Sequence, residues 1–186
     1  MPAYNTRTSN RHEQTGPLLR AVRILKSNQL IIEISDQQSF DVDPTLLTAT
    51  VRKILTDHDY HCGEISIALV DDPQIHQLNR QYLDHDYETD VISFALDSEP
   101  ESGLLNGQLV ISTQTAQRVA DQMALPFTRE LLLYTIHGAL HLVGYDDVHD
   151  ADIREMRTAE AKYLEWAAGD TPVDGNATGP VDGENR

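Results

Sequence analysis

Apolar positions recur along this chain with two periods, one near 2 and one near 3.6, and the two alternate. Residues 29–35 (QLIIEIS) and 64–70 (EISIALV) are rich in isoleucine and valine, and each predicts a strand. Residues 91–96 and 107–111 predict a third and a fourth. Helical spacing fills the gaps between them. Asp43-Pro44 supplies an N-cap and a first-turn proline for a helix to about residue 58, with Leu46, Leu47, Val51, Ile54 and Leu55 on one face. Asp72-Pro73 opens a second helix, in which Ile75, Leu78 and Tyr82 share a face and Asn79 lies on the same turn. Either Ser112 or Thr113 can cap a third helix, running to about Ala124. Pro126 and Thr128 reopen helix for the apolar run LLLYTIHGALHLV, with Thr128 as the capping residue. His149 or Asp150 begins the last helix, where Ile153, Met156, Ala159, Tyr163 and Trp166 cover the core while Arg157 and Glu160 read as surface charges. Residues 84–90 form a tight polar loop, and residues 97–106 (DSEPESGLLN) an acidic one.

Strands interleaved with helices in this way imply an α+β fold with a four-stranded mixed sheet and helices on both faces. One domain over residues 27–168 is expected. A polar, aperiodic arm (residues 1–26) precedes it, and a disordered acidic tail (residues 169–186), rich in glycine and proline, follows it. At 186 residues and 40% hydrophobic content, the chain is large enough for a core without disulfides. The single cysteine, Cys62, rules out an internal disulfide and cysteine-rich zinc sites, and suits a reducing compartment. With neither a leader pattern nor a run near the ~20 apolar residues of a membrane span, the expected location is the cytoplasm.

The formal charge of -16 argues against a generic nucleic-acid binder, whose basic surface gains affinity by displacing counterions from phosphate. Residues 1–26 carry +4 and residues 170–186 carry -3, so a charge of -17 belongs to the segment between them.

One window concentrates the chemistry. Residues 137–149, HGALHLVGYDDVH, hold three histidines and two aspartates. His137 and His141 stand four apart, which stacks both imidazoles on one helix face, close enough to share a cation. Gly144 accepts the left-handed conformation that ends helices, so residues 145–149 can fold back and offer further ligands. Imidazole nitrogen with carboxylate oxygen is a set that suits zinc. The metallopeptidase signature has a glutamate directly after its first histidine; here that position is Gly138, and the peptidase reading fails at its general base.

The stretch HGALHLVGYD resembles the H-G-x-L-H-L-x-G-Y-D-H signature of the YbeY family of zinc-dependent, single-strand-specific endoribonucleases that mature bacterial rRNA. LNRQYLDHDYETDVISF (residues 78–94) and GQLVIS, before the central helix, are similar to further family segments, so that the likeness covers roughly residues 30–165. It implies a zincin-like fold, one zinc per chain, and Thr89-Asp90 near the active cleft. It also implies processing of the 16S rRNA 3′ end and ribosome quality control, with rRNA and the small ribosomal subunit or its proteins as partners.

Three departures stand out. The family's third ligand histidine falls at Asp147; with Met156 and Glu160 in gapless register with the family's next helix, Asp147 is the expected third ligand and His149 the alternative. The family's arginine after the tyrosine is Leu83, which leaves Arg80 as the candidate cation for substrate phosphate. Gln108 replaces the acidic residue usual after the glycine of the fourth strand. RNA is expected to meet a local basic strip around Arg118 and Arg129, or to be presented by a partner. A ribosome-associated maturation factor with purely structural zinc is the alternative function, and a metallopeptidase a less favoured one.

Overall fold

The computed structural model describes residues 29–36, 38 and 40–169. The arm expected over residues 1–26 and the tail from residue 170 lie outside the described residues; Gly169, placed in the tail from sequence, is the last residue of a helix. Strand β1 (Leu30–Asp36) leads through α1 (Pro44–Asp57) to β2 (Gly63–Val70), and α2 (Asp72–Leu83) leads to β3 (Val91–Glu99). A 3-10 turn at Pro100–Ser102 joins β3 to β4 (Leu104–Ser112), and α3 (Thr113–Met123), α4 (Phe127–Leu142) and α5 (Asp150–Gly169) complete the fold.

The sheet runs β1-β2-β4-β3, with β1, β2 and β4 parallel and β3 antiparallel on the edge. Period-2 alternation divides its side chains between two layers. Ile65, Ile67, Leu69, Leu105, Leu109 and Ile111 form one core with residues of α1, α4 and α5; Ala68, Val70, Ile92 and Val110 meet Ile75 and Leu78 of α2 on the other face. The sheet is therefore mixed and covered on both faces, as expected. Among the described residues, no helix is long and apolar enough to cross a membrane.

Local chemistry sets the helix ends. Asp43 accepts from the Thr45 N–H at 2.9 Å ahead of Pro44, and Asp71 and Gln74 cap α2 reciprocally. Ser112, rather than Thr113, caps α3. Thr128 does not cap α4: the helix opens one residue earlier, at Phe127, and its cap residue Pro126 makes no side-chain bond.

The region expected as one loop over residues 97–106 is mostly strand, because β3 continues past a bulge between Ala95 and Asp97 and closes a hairpin as far as Glu99 opposite Leu104. Pairing with a neighbouring strand overrides the weak strand propensity of Asp97 and Glu99. Tyr82, expected on one face with Ile75 and Leu78, is 41% exposed, and Ile153, expected to cover the core, is 37% exposed.

Candidate metal centre

Helix α4 is buried along most of its length, with Leu131, Ile136, Ala139 and Leu140 in the core. Its packing fixes the direction of the half-buried face that carries His137 and His141. The Nε2 atoms of the two rings stand 3.0 Å apart, with the ring planes at 89°. Gly144, at φ +100, turns the chain, and the Tyr145 N–H returns to the Leu140 carbonyl at 3.1 Å. That turn swings Asp147 back over the histidines, its carboxylate oxygens 3.7 Å from His137 Nε2 and 3.9 Å from His141 Nε2. One ligating atom from each of His137, His141 and Asp147 lies within 4.8 Å of the others.

The outer ring nitrogens decide what the inner ones are. His141 Nδ1 lies 3.0 Å from the Tyr145 carbonyl, an acceptor only, so Nδ1 carries the proton. His137 Nδ1 lies 2.8 Å from Glu160 Oε1, a buried carboxylate, and donates to it likewise. In the neutral rings both Nε2 atoms therefore present lone pairs to each other, an arrangement that a shared cation satisfies. Two nitrogens about 2.1 Å from one zinc at tetrahedral angles stand roughly 3.4 Å apart, within a few tenths of an ångström of the separation here. The donor set and its spacing thus fit a zinc-type cation, and Glu160 and the Tyr145 carbonyl orient the imidazoles as acceptors behind metal ligands do.

The electrostatics point the same way. Burial works against protonating His137, but the bond to Glu160 and its charge, with Asp90 and Asp147 adding to them, outweigh it and hold the imidazole above its ordinary value. The same carboxylates that favour a proton on His137 favour a cation placed between the rings.

The profile of the family described as endoribonuclease YbeY matches residues 31–167. The chain belongs to the YbeY family. A relative named endoribonuclease YbeY from Carboxydothermus hydrogenoformans is 40% identical over 130 residues, covering 69% of this chain and 90% of the relative. Another so named, from Syntrophotalea carbinolica, is 41% identical over 123 residues, covering 63% and 82%. The solution structure of a Thermotoga maritima protein matches with a TM-score of 0.50 at 27% identity, covering 76% of this chain and 89% of that one.

The structure brings Asp147 to the two helix histidines. His149, exposed at the start of α5 with its carbonyl accepting from the Ile153 N–H, is outside that group. Arg80 is exposed in the last turn of α2, one turn before Leu83. Arg118 and Arg129 do not form a free basic strip, because Arg118 bonds Thr115 and faces Asp72, while Arg129 pairs with Glu130 at 2.9 Å. Thr89 and Asp90 are half-buried at the start of β3, and the Asp90 charge reaches His137.

Glu160 is the correction with most weight. It is not a surface charge but 5% exposed, bonded to His137 and facing Arg157 at 3.4 Å, while Arg157 itself is on the surface. The signal available was its place beside Met156 and Tyr163 on the buried stripe of α5. The Tyr145 carbonyl had no side-chain signal at all. Gly138 is tightly enclosed: a Cβ there would lie 2.8 Å from Val91 Cγ2, so that side chain would have to shift.

Proposed function

We propose that this chain is a zinc-dependent endoribonuclease that cuts single-stranded RNA during rRNA maturation, at the 16S 3′ end and in ribosome quality control, in the cytoplasm. His137, His141 and Asp147 hold one zinc per chain. The observation that carries the reading is the convergence of two Nε2 lone pairs and a carboxylate, each ring fixed from behind, in a chain of the YbeY family. When bound, the cation supplies Lewis acidity toward a phosphodiester and lowers the pKa of water.

The chain's own residues do the rest. Helix α4 sets the spacing of the two imidazoles, Glu160 and the Tyr145 carbonyl hold their tautomers, and the core beneath α4 keeps water off the far side of the site. Arg80 is the candidate partner for substrate phosphate, since leucine at 83 cannot make the two parallel charge-assisted bonds of an arginine.

Leu83 and the acidic domain favour a second reading, a maturation factor on the small ribosomal subunit whose zinc is structural. The metallopeptidase reading loses further ground, because Gly138 carries no general base and a side chain there would crowd Val91, Leu109 and Ser93. The test is zinc stoichiometry and cleavage of matched single- and double-stranded RNA by wild type, His137→Ala, Asp147→Ala, His149→Ala and Leu83→Arg. Zinc lost with Asp147→Ala and kept with His149→Ala is the expected outcome, together with single-strand cleavage abolished by His137→Ala and raised by Leu83→Arg. Zinc-loaded wild type and Leu83→Arg both inert on RNA would establish the structural-zinc factor instead.

A further inference from the structure

The last turn of α2 and the segment joining it to β3 expose large apolar and aromatic side chains. Tyr82 is 41% exposed, Leu83 47% and Tyr87 55%. His85 and Tyr87 stack on each other, centroids 5.3 Å apart and planes 14° from parallel, while Tyr82 stands edge-on to Phe94 at 5.6 Å. These rings are carried on a braced backbone. Buried Asn79 donates its amide to the Tyr87 carbonyl at 2.8 Å, its own carbonyl accepts from the His85 N–H at 3.4 Å, and His76 holds Asp86 at 2.9 Å. Asp84, left-handed at φ 59, sets the turn. Ordering costs are therefore met before any ligand arrives.

The segment also ends at the metal centre. Asp90, whose charge acts on His137, is three residues beyond Tyr87, at most about 11 Å along the chain. The next residue, Val91, packs against α4 at Gly138, beside His137. The sign of the local charge then selects which part of a strand can dock. Asp84, Asp86, Glu88 and Asp90 make the segment anionic, so it repels phosphate, while its carboxylates can accept from the amino groups of bases. Flat, exposed rings next to acceptors suit an unpaired base turned inward with its phosphate turned out.

We propose that the stacked His85–Tyr87 pair, with Tyr82 and Leu83 beside it, is a platform on which an unpaired base of the RNA substrate stacks next to the metal centre. The proposal rests on the ribonuclease reading above and adds the contact that distinguishes single strands: a paired base has no free face to offer. Tyr87 acts in binding and takes no part in the bond cleavage.

The experiment uses the full chain and a short single-stranded RNA carrying one 2-aminopurine, whose fluorescence falls when it stacks on an aromatic ring. Tyr87→Ala should weaken binding about 5- to 150-fold and abolish the quench, whereas Tyr87→Phe, which keeps the ring, should retain both. The slope of affinity against salt should be the same in wild type and Tyr87→Ala, since no phosphate contact is removed. Tyr87 is exposed, so both variants fold, and matching melting curves confirm it. Wild-type binding with an affinity and quench unchanged by Tyr87→Ala would overturn the platform and leave the ribonuclease reading standing. No wild-type binding to single-stranded RNA would overturn both. Loss of binding to purified small ribosomal subunits in Tyr87→Ala, with oligonucleotide binding intact, would assign the surface to a protein partner and overturn the proposal.

Discussion

Glu160→Gln isolates the charge behind His137 while keeping the shape of the side chain. The glutamate is buried and accepts from His137 Nδ1 at 2.8 Å, and the amide oxygen of glutamine can accept the same bond. What disappears is the charge assistance. A hydrogen bond to a charged group is worth roughly 1.5–3 kcal/mol net against about 0.5–1.5 for a neutral one, so the difference is about 1–1.5 kcal/mol. At 1.4 kcal/mol per factor of ten, zinc affinity should fall about tenfold, toward the low end for acceptors behind metal ligands. Competition with a chromophoric chelator measures it. The same substitution has a pH signature in metal-free protein. His137 is held above its ordinary value of 6.5, so its protonation contributes stability that is fully present below that value and is lost as pH rises through the raised one. Chemical denaturation should therefore show a wider gap between wild type and Glu160→Gln at pH 5.5 than at pH 8.5. Equal zinc affinity within twofold, or a gap that widens with pH, would refute the role given to Glu160.

Two further substitutions test the frame around the site. Asp57 ties α1 to α5 by accepting from Lys53, from Lys162 Nζ at 3.2 Å and from Tyr163 Oη at 3.1 Å. Burial raises its pKa, but these bonds outweigh burial and lower it, so the stabilisation is present above the ordinary value of 3.8 and fades as pH falls through the lowered one. Asp57→Asn should cost about 1–2 kcal/mol at pH 7, roughly 2–8 °C in Tm, with little difference from wild type in strong acid. Gly138→Ala adds ~1 kcal/mol of helix propensity, yet its Cβ meets Val91, Leu109 and Ser93, an overpacking worth about 1–3 kcal/mol. A net loss of Tm is expected, with weaker zinc binding because His137 is adjacent; a raised Tm would contradict the contact.

What the sequence disclosed and what it withheld divide along contact range. The strand and helix periods, the proline starts of α1 and α2 and the His137–His141 face are all local, and each is legible from a few neighbouring residues. The length of β3 is not local: Asp97 and Glu99 become strand only because β4 lies beside them. Glu160 shows the same divide at the site itself. It stands 23 residues beyond His137, and a charge on a helix declares itself buried only once the partner that neutralises it is known. The strand order β1-β2-β4-β3 likewise depends on a crossover that no local pattern encodes.

The acidity of the domain and an RNA substrate are reconciled at the scale of individual groups. Among the described residues, Lys53, Arg118, Arg129, Arg157 and Lys162 each face a carboxylate, which mutes their pull on a polyanion from a distance. At ionic strengths near 0.15 M that field is screened beyond about 8 Å, so the long-range repulsion is weak as well. Selection then falls to contacts inside the screening length. There the carboxylates Asp90, Asp147 and Glu160 surround two imidazoles, and on the proposed metal reading a dication held among them would present the local positive charge that the surface lacks. A chain built this way gains little from a phosphate backbone as such. On the two proposals above, discrimination rests on whether a phosphodiester can reach the metal while its bases are free to meet the rings at His85 and Tyr87. Flexible single strands meet both conditions at once; a duplex, with its bases stacked inward, meets at most one.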